Sequence, residues 1–159
     1  MCEYCGRQAL SAIADLTREH DDIVTLISRV RSAHVTGDHA ATARLARQIA
    51  AVLGPHTAVE EQGLFPPLAA EFPDHVAKLI AQHRYIDGVL GEAADEVPAD
   101  STWPARLMDA LHVLREHILA EQDAAFPAAL ASLGTADWEA IEAVRARVGT
   151  TTPAPTPTR

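Results

Sequence analysis

Residues 56–66 read HTAVEEQGLFP, and residues 117–127 read HILAEQDAAFP. The two stretches share a histidine, a glutamate four residues later and a Phe-Pro pair at the end. A lone histidine also precedes each stretch, His20 before the first and His83 before the second. The repeat predicts two related helical hairpins, each carrying one lone histidine and one His-x-x-x-Glu pair.

Apolar residues recur at helical spacing on both sides of the repeat. Four long helices are expected, over residues 8–33, 38–63, 73–96 and 101–126. Gly54-Pro55 should bend the second helix without ending it, because proline removes one backbone donor and the apolar pattern resumes at once. Each Phe-Pro pair should close its helix. Ser101 and Thr135 are the expected N-caps of the fourth helix and of a short fifth helix that ends near Val148.

The composition favours an all-α fold. Hydrophobic residues make up 48% of the chain but aromatic residues only 4%, and Ala and Leu outnumber the residues that strands prefer. A chain of 159 residues has the length of one domain. We expect an up-down-up-down four-helix bundle with a short C-terminal fifth helix over residues 8–148. A Cys-x-x-Cys segment at residues 1–7 precedes it, and a disordered Thr/Pro tail at residues 149–159 follows.

The charge and hydropathy exclude two classes of partner. The formal charge is -9, from 13 basic and 22 acidic residues, and no Lys/Arg cluster offsets it. Such a surface repels nucleic acid and anionic lipid. No apolar run approaches the roughly 18 to 20 residues that span a bilayer, and residues 1–5 form neither a basic nor an apolar leader. We therefore expect a cytoplasmic protein without nucleic-acid or membrane partners.

Six polar residues fall on the core-facing stripes of the predicted helices. They are His20, His56, Glu60, His83, His117 and Glu121. Residues four apart on a helix share a face, so each His-x-x-x-Glu pair can reach one centre. Buried carboxylates without partners cost several kcal/mol each, so the core needs cations or a hydrogen-bond network there.

Imidazole and carboxylate together suit iron, manganese or zinc, and carboxylates can bridge two metal ions. In the simplest assignment His20 and His56 bind one ion, His83 and His117 bind the other, and Glu60 and Glu121 bridge them. Six side chains cannot fill two six-coordinate ions. Positions stay open for an oxo or hydroxo bridge and for an exogenous ligand, and open sites are reactive.

The order of these motifs between Leu16 and Pro127 resembles the hemerythrin-like (HHE cation-binding) family. The resemblance implies a four-helix bundle with two iron ions that reacts with dioxygen, peroxide or nitric oxide, or senses iron. Oxygen-carrying members have a second histidine four residues from the one in the third helix, where this chain has Leu79 or Asp87. The last pair is also one residue tighter than their His-x-x-x-x-Asp. These departures argue against reversible oxygen carriage and favour peroxide or redox chemistry, or iron or gas sensing.

Several functions compete at this stage. The leading hypothesis is a di-iron protein that handles dioxygen, peroxide or nitric oxide, and whether it turns over peroxide like a catalase or acts as an oxidase is left open. The alternative is an iron or redox sensor whose stability depends on metal without turnover. A ferritin-like carboxylate oxidase requires Glu-x-x-His pairs on two helices, and the chain contains none. A purely structural bundle is the remaining reading.

Other polar residues have weaker assignments. Glu61, Tyr85 and Asp87 are candidates to supply or adjust a ligand, although Glu61 alone would more often be solvated. Glu19 and Glu116 are expected to cover the surface. Surface or supporting roles are expected for four further histidines, His34, His39, His75 and His112.

Cys2 and Cys5 form a lone Cys-x-x-Cys motif at the start of the chain. Their side chains are either exposed reduced thiols, a redox pair or half of a metal site completed by another chain. The start CEYCG is similar to that of some actinobacterial members of the family.

Overall fold

Every regular element of the structure is helical. The computed structural model describes the backbone of residues 3–149 and the side chains of residues 6–149. Seven α-helices occur in this range: α1 Glu3–Val35, α2 His39–Val59, α3 Phe65–Ala69, α4 Pro73–Gly91, α5 Trp103–Ala120, α6 Phe126–Ser132 and α7 Thr135–Val148. A π-helical turn at Glu60–Leu64 joins α2 to α3, and another at Glu121–Ala125 joins α5 to α6. The Cys2 and Cys5 side chains and the predicted tail beyond residue 149 lie outside the described residues.

These elements form five helical segments, because each π turn continues its helix without a loop. α1 packs against α2 and α5, and α4 packs against the same two helices, so four segments close a ring around one interior. α7 packs outside this ring, against α1, α2 and the first π turn. The predicted all-helical bundle with a short fifth helix is confirmed. Within residues 3–149, every helix is too short or too polar to pass through a bilayer.

The Phe-Pro pairs do not end their helices, and that prediction was wrong. α3 and α6 both begin at the phenylalanine of the pair and place its proline in their first turn. The Phe65 N–H bonds to the Glu60 carbonyl, and the Phe126 N–H bonds to the Glu121 carbonyl, five residues back. The ladder then returns to four-residue spacing. Proline is tolerated there because a backbone donor is dispensable where the hydrogen-bond register changes.

Several predicted helix ends also differ from the structure. α1 begins at Glu3 rather than near residue 8, and α2 runs through Pro55 without ending there, as expected. α4 ends at Gly91, about five residues early. The chain after it is held by side chains from other helices: Arg47 donates to the Ala93 carbonyl at 2.9 Å, and Arg106 pairs with Glu92.

The two predicted N-caps are each displaced by one residue. α5 begins at Trp103, so Thr102 and not Ser101 occupies the cap position. The Asp100 carboxylate accepts hydrogen bonds from the Thr102 N–H and hydroxyl, both at 2.8 Å, which fixes this turn without a side-chain cap. Gly134 rather than Thr135 is the cap residue of α7, and its N–H donates to Asp137 Oδ2 at 3.0 Å.

The interior contains two apolar clusters. Buried histidine and glutamate side chains lie between them and form a polar layer. One cluster lies toward the α1–α2 connection and contains Ile23 and Leu53. The other contains Leu16 and Val59 and includes the contacts of α7. Histidine 20 lies between Leu16 and Ile23 along α1, at the boundary of the clusters. The polar layer is thus enclosed by hydrocarbon on both sides.

Candidate metal centre

The structure brings all six predicted site residues together in the polar layer. Four helices and both π turns supply them: His20 from α1, His56 from α2, Glu60 from the first π turn, His83 from α4, His117 from α5 and Glu121 from the second π turn. None of the six is more than 4% exposed. Such burial of two carboxylates and four imidazoles requires specific partners.

The six residues form two overlapping groups of potential metal ligands. One group consists of His20, His56, Glu60 and Glu121, and the other of His83, His117, Glu60 and Glu121. Within each group the ligand atoms lie within 4.8 Å of one another. Both glutamates belong to both groups. This arrangement suits two metal ions that share two carboxylates.

Each glutamate faces two histidines, one from each hairpin. Glu60 Oε1 lies 2.5 Å from His56 Nε2 and 3.9 Å from His83 Nε2. Glu121 Oε1 lies 3.0 Å from His117 Nε2 and 3.2 Å from His20 Nε2. All four rings therefore turn Nε2 toward the carboxylates, and each carboxylate joins the two halves of the repeat.

The outer nitrogen of each ring is held by an oxygen atom from a neighbouring helix or turn. The four pairs are His20 Nδ1 with Gln122 Oε1 at 3.2 Å, His56 Nδ1 with Glu19 Oε1 at 3.1 Å, His83 Nδ1 with Glu61 Oε2 at 3.1 Å and His117 Nδ1 with Gln82 Oε1 at 2.8 Å. Carboxylate and amide oxygens only accept, so Nδ1 donates in every pair. A neutral ring held in this way presents its Nε2 lone pair to the interior, as metal-binding histidines do.

The phenylalanine of each Phe-Pro pair covers a histidine of the other hairpin. Phe126 stacks on His20 with ring centroids 5.4 Å apart, and Phe65 stacks on His83 at 5.8 Å. The π turns bring these aromatic rings over the polar layer. The repeated Phe-Pro pair thus restricts the rotation of the lone histidines and shields them from water.

Burial and charge set different protonation states for the histidines. Burial lowers the pKa of His20 to about 4 and that of His117 to about 3, so both rings are neutral at neutral pH. Burial also acts to lower the pKa of His56, but the Glu60 and Glu19 carboxylates outweigh it and raise that pKa. Two rings are therefore ready as ligands, while His56 holds a proton that a metal ion would displace.

Several buried atoms of the site lack hydrogen-bond partners among the described residues. Both carboxylate oxygens of Glu121 and Oε2 of Glu60 have no donor, and His20 Nε2 also has no partner. Unpaired buried oxygens with negative charge are costly unless a cation neutralises them. The donor set and these unpaired atoms together fit bound metal ions.

The sequence profile of the Hemerythrin HHE cation binding domain matches residues 11–129. The chain belongs to this family. No curated protein and no solved structure matches the chain with significant similarity. The matched part of the hemerythrin domain contains both overlapping groups of ligands and ends within α6. α7 therefore lies beyond it.

The residues of the hemerythrin domain that were candidates to supply or adjust a ligand lie outside both groups of ligands. Glu61 bonds to His83 Nδ1 and belongs to neither group of ligands. Tyr85 is 44% exposed. Asp87 is exposed and outside both groups, and partial desolvation of its carboxyl group, together with the nearby Glu61, raises its pKa. Glu116 is exposed and pairs with His112 at 3.2 Å, as expected for a surface residue.

The further histidines lie away from the centre of the hemerythrin domain. His34, His39 and His112 are exposed, and His75 is half-buried.

Sequence reasoning named Glu61 as a candidate to adjust a ligand, and it missed the other three residues that hold the histidines, Glu19, Gln82 and Gln122. Glu19 was expected on the surface but is buried, because it bonds both His56 and Arg145. The repeat contained a signal for this role: a polar residue precedes each lone histidine, and another follows each glutamate of the pairs. Gln82 and Gln122 occupy such positions in the second hairpin. Arg145 lies outside the repeat, so nothing in the repeat pointed to it.

Proposed function

We propose that the chain is a non-haem di-iron protein whose carboxylate-bridged centre binds or reacts with dioxygen, peroxide or nitric oxide. The observation that carries this proposal is the pair of overlapping ligand groups that share Glu60 and Glu121. Family membership and the unpaired carboxylate oxygens support it. Iron is preferred over manganese and zinc because of the likeness to hemerythrin-like proteins, since the donor set alone suits all three.

In this proposal His20 and His56 would hold one ion, His83 and His117 would hold the other, and Glu60 and Glu121 would be shared by both. A small molecule would bind where these side chains leave an ion open. Bound iron would supply redox chemistry, and the protein supplies fixed ring orientation and a dry surrounding.

The surroundings of the centre favour small ligands. Two surface cavities are lined by residues other than the six, one between α1 and α7 and one beside α4 and α6. The centre itself lies between two apolar clusters, with aromatic rings over His20 and His83. Diatomic molecules and peroxide are small enough to reach such a site. A net charge of -9 argues against nucleic acid or anionic lipid as partners.

Spectroscopy on iron-loaded protein tests the proposal. Protein loaded with two equivalents of iron in air should show near-ultraviolet charge-transfer absorption, and peroxide or nitric oxide should change that spectrum. Consumption of peroxide would add an enzymatic role. A spectrum that matches loosely bound iron and responds to none of the three molecules would contradict the proposal. His112→Ala is the matched control, because His112 is exposed on the same helix as His117.

A metal-dependent sensor is the second candidate. It is favoured by the buried oxygens of Glu121, which lack donors among the described residues and so make the metal-free fold less stable. A sensor should show a large rise in melting temperature with iron and no turnover of peroxide. Turnover at a steady rate would exclude a purely sensing role.

Two predictions from the sequence stay predictions. One is that residues 2–6 resemble the start of some actinobacterial members of the family, since the side chains of both cysteines lie outside the described residues. The cytoplasmic location also stays a prediction from sequence.

A further inference from the structure

The fifth helix packs on one half of the repeat, close to Glu60. α7 contacts α1, α2 and the first π turn. A Cβ atom added to Gly63, in that turn, would lie 3.1 Å from the Ile141 Cα of α7. The corresponding residue of the second hairpin is Ala124, which carries a Cβ. Glycine thus allows a close approach of α7 to the turn that carries Glu60.

Arg145 extends from α7 into the region behind His56. Its Nη2 lies 2.7 Å from Glu19 Oε1, and its Nη1 lies 3.0 Å from Glu19 Oε2. Both side chains are largely buried, at 13% and 1% exposed. A guanidinium group that bonds both oxygens of a carboxylate fixes its plane. Nη1 also donates to the Gly149 carbonyl at 3.2 Å, which ties the arginine to the end of its own helix.

Glu19 in turn holds His56. Its Oε1 accepts from His56 Nδ1 at 3.1 Å, on the side of the ring opposite Glu60. The three side chains form one continuous chain of contacts from α7 to the first group of ligands. A buried carboxylate in this position needs a counter-charge, because desolvation of an unpaired charge is expensive.

The second hairpin achieves the same support without charge. Gln82 corresponds to Glu19 in the repeat and accepts from His117 Nδ1 at 2.8 Å. An amide needs no counter-charge, and no arginine of the described residues pairs with Gln82. The two halves of the centre are therefore alike in their inner ligands, but a carboxylate bonded to an arginine holds His56 and an uncharged amide holds His117.

From this difference we infer that Arg145 is a positioning residue for the metal position formed by His20 and His56. It acts through Glu19, which sets the orientation of His56, and it makes this position dependent on the docking of α7. His83 and His117 are held by Glu61 and Gln82, and neither of these residues bonds Arg145 in the described part of the chain. This inference rests on the proposed function, because it concerns the affinity of the same centre for metal.

The test compares metal binding by the full-length protein and Arg145→Gln. Iron(II) is titrated anaerobically, and bound metal per chain is measured after dialysis. The visible spectrum of the cobalt(II) form reports the ligand geometry. We expect one of the two positions to weaken by roughly 10- to 100-fold, the range found when groups that orient metal ligands are removed. The other position should keep its affinity.

Two further variants separate positioning from packing. Arg147→Gln removes the same charge from α7, but Arg147 is exposed and bonds Gln62 instead, so both metals should bind normally. The double variant Glu19→Gln/Arg145→Gln reproduces the uncharged arrangement of the second hairpin. It should recover the affinity and the cobalt spectrum that Arg145→Gln loses.

Each outcome decides the inference. Loss in Arg145→Gln alone, with recovery in the double variant, supports it. It is overturned if Arg145→Gln binds both metals with unchanged affinity, if Arg147→Gln loses as much, or if the double variant fails to recover. Absence of metal binding by the unaltered protein would refute the proposed function instead, so the two failures are distinguishable.

Discussion

The Nε2 atoms of His83 and His117 lie 3.0 Å apart, although the two rings come from different helices. Both Nδ1 atoms are engaged on the outer side, by Glu61 and Gln82. The two Nε2 atoms therefore face the same small volume inside the bundle. A metal ion within reach of both nitrogens would make this approach favourable.

His117→Ala should therefore lose at least one metal ion per chain. The variant removes the ring nitrogen of His117 from the group of ligands that also contains His83. Elemental analysis of purified and dialysed protein measures the loss. His112→Ala, on the exposed face of the same helix, should bind the same amount of metal as the unaltered chain. An unchanged metal count in His117→Ala would refute its role as a ligand.

Glu121→Gln should stabilise the metal-free protein while it weakens metal binding. Both Glu121 oxygens are buried with no donor in residues 6–149, and the neighbouring His20 and His117 rings are neutral at neutral pH. Replacement of this unsatisfied carboxyl group should raise the free energy of unfolding of the metal-free protein by about 1 to 3 kcal/mol. Urea denaturation measures this change.

The exposed Glu116 gives the control for Glu121→Gln. Glu116→Gln, one turn earlier on the same helical segment, should change neither stability nor metal content, because the side chain is 63% exposed. If metal-free Glu121→Gln were less stable than metal-free unaltered protein, the carboxylate would have a partner that this account omits.

The stability of metal-free protein should pass through a maximum near pH 6.5, the ordinary pKa of histidine. Below this pH the unfolded chain binds protons that the buried His20 and His117 resist, because their pKa values are lowered to about 4 and about 3. Stability then falls as pH falls, by roughly 1 to 2 kcal/mol per pH unit for each proton. The effect of His56 on stability is opposite, because its pKa is raised. The stability that His56 contributes is lost as pH rises above 6.5.

Urea denaturation of metal-free protein between pH 5 and pH 9 measures both the acid limb and the alkaline limb of this dependence of stability on pH. Surface carboxylates are ionised in both states over this range and contribute little to the slope. His117→Gln should flatten the acid limb and leave the alkaline limb in place. A stability that rises steadily up to pH 9 would show that His56 is not held protonated by Glu60 and Glu19.

Gly63→Ala should destabilise the protein by about 1 kcal/mol or more. The new methyl group would meet the Ile141 backbone at 3.1 Å, and a backbone neighbour cannot turn aside as a side chain can. Gly88→Ala lies within α4, where the new Cβ would meet no described atom within 4 Å apart from the backbone of its own helix, and it should instead gain about 0.5 to 1 kcal/mol. Equal stability of the two variants, measured in urea, would contradict the close packing of α7 on the first π turn.

The sequence was sufficient to predict the class of fold and the convergence of the six polar residues. Helical periodicity placed these side chains on inner stripes, and the repeat related His56 and Glu60 to His117 and Glu121. The two π turns were not predictable in this way. A π turn adds one residue to a helical turn without any break in the apolar pattern, so the Phe-Pro pairs looked like helix ends.

Helical periodicity also could not predict which residues bond the outer nitrogens of the histidines. Glu19 and Glu61 are adjacent in sequence to His20 and Glu60, but each bonds a histidine from another helix, His56 and His83. Such contacts depend on how the helices pack, and they involve the outer rather than the inner face of each ring. Arg145 reaches Glu19 across 126 positions of sequence, and no local pattern encodes that distance.

Anomalous X-ray diffraction at the iron absorption edge, from crystals of iron-loaded protein, tests the central claim most directly. The account predicts two peaks inside the bundle, roughly 3 to 4 Å apart, one beside the Nε2 atoms of His20 and His56 and the other beside those of His83 and His117. A single peak, or iron bound only at the surface, would contradict a di-metal centre built from these residues.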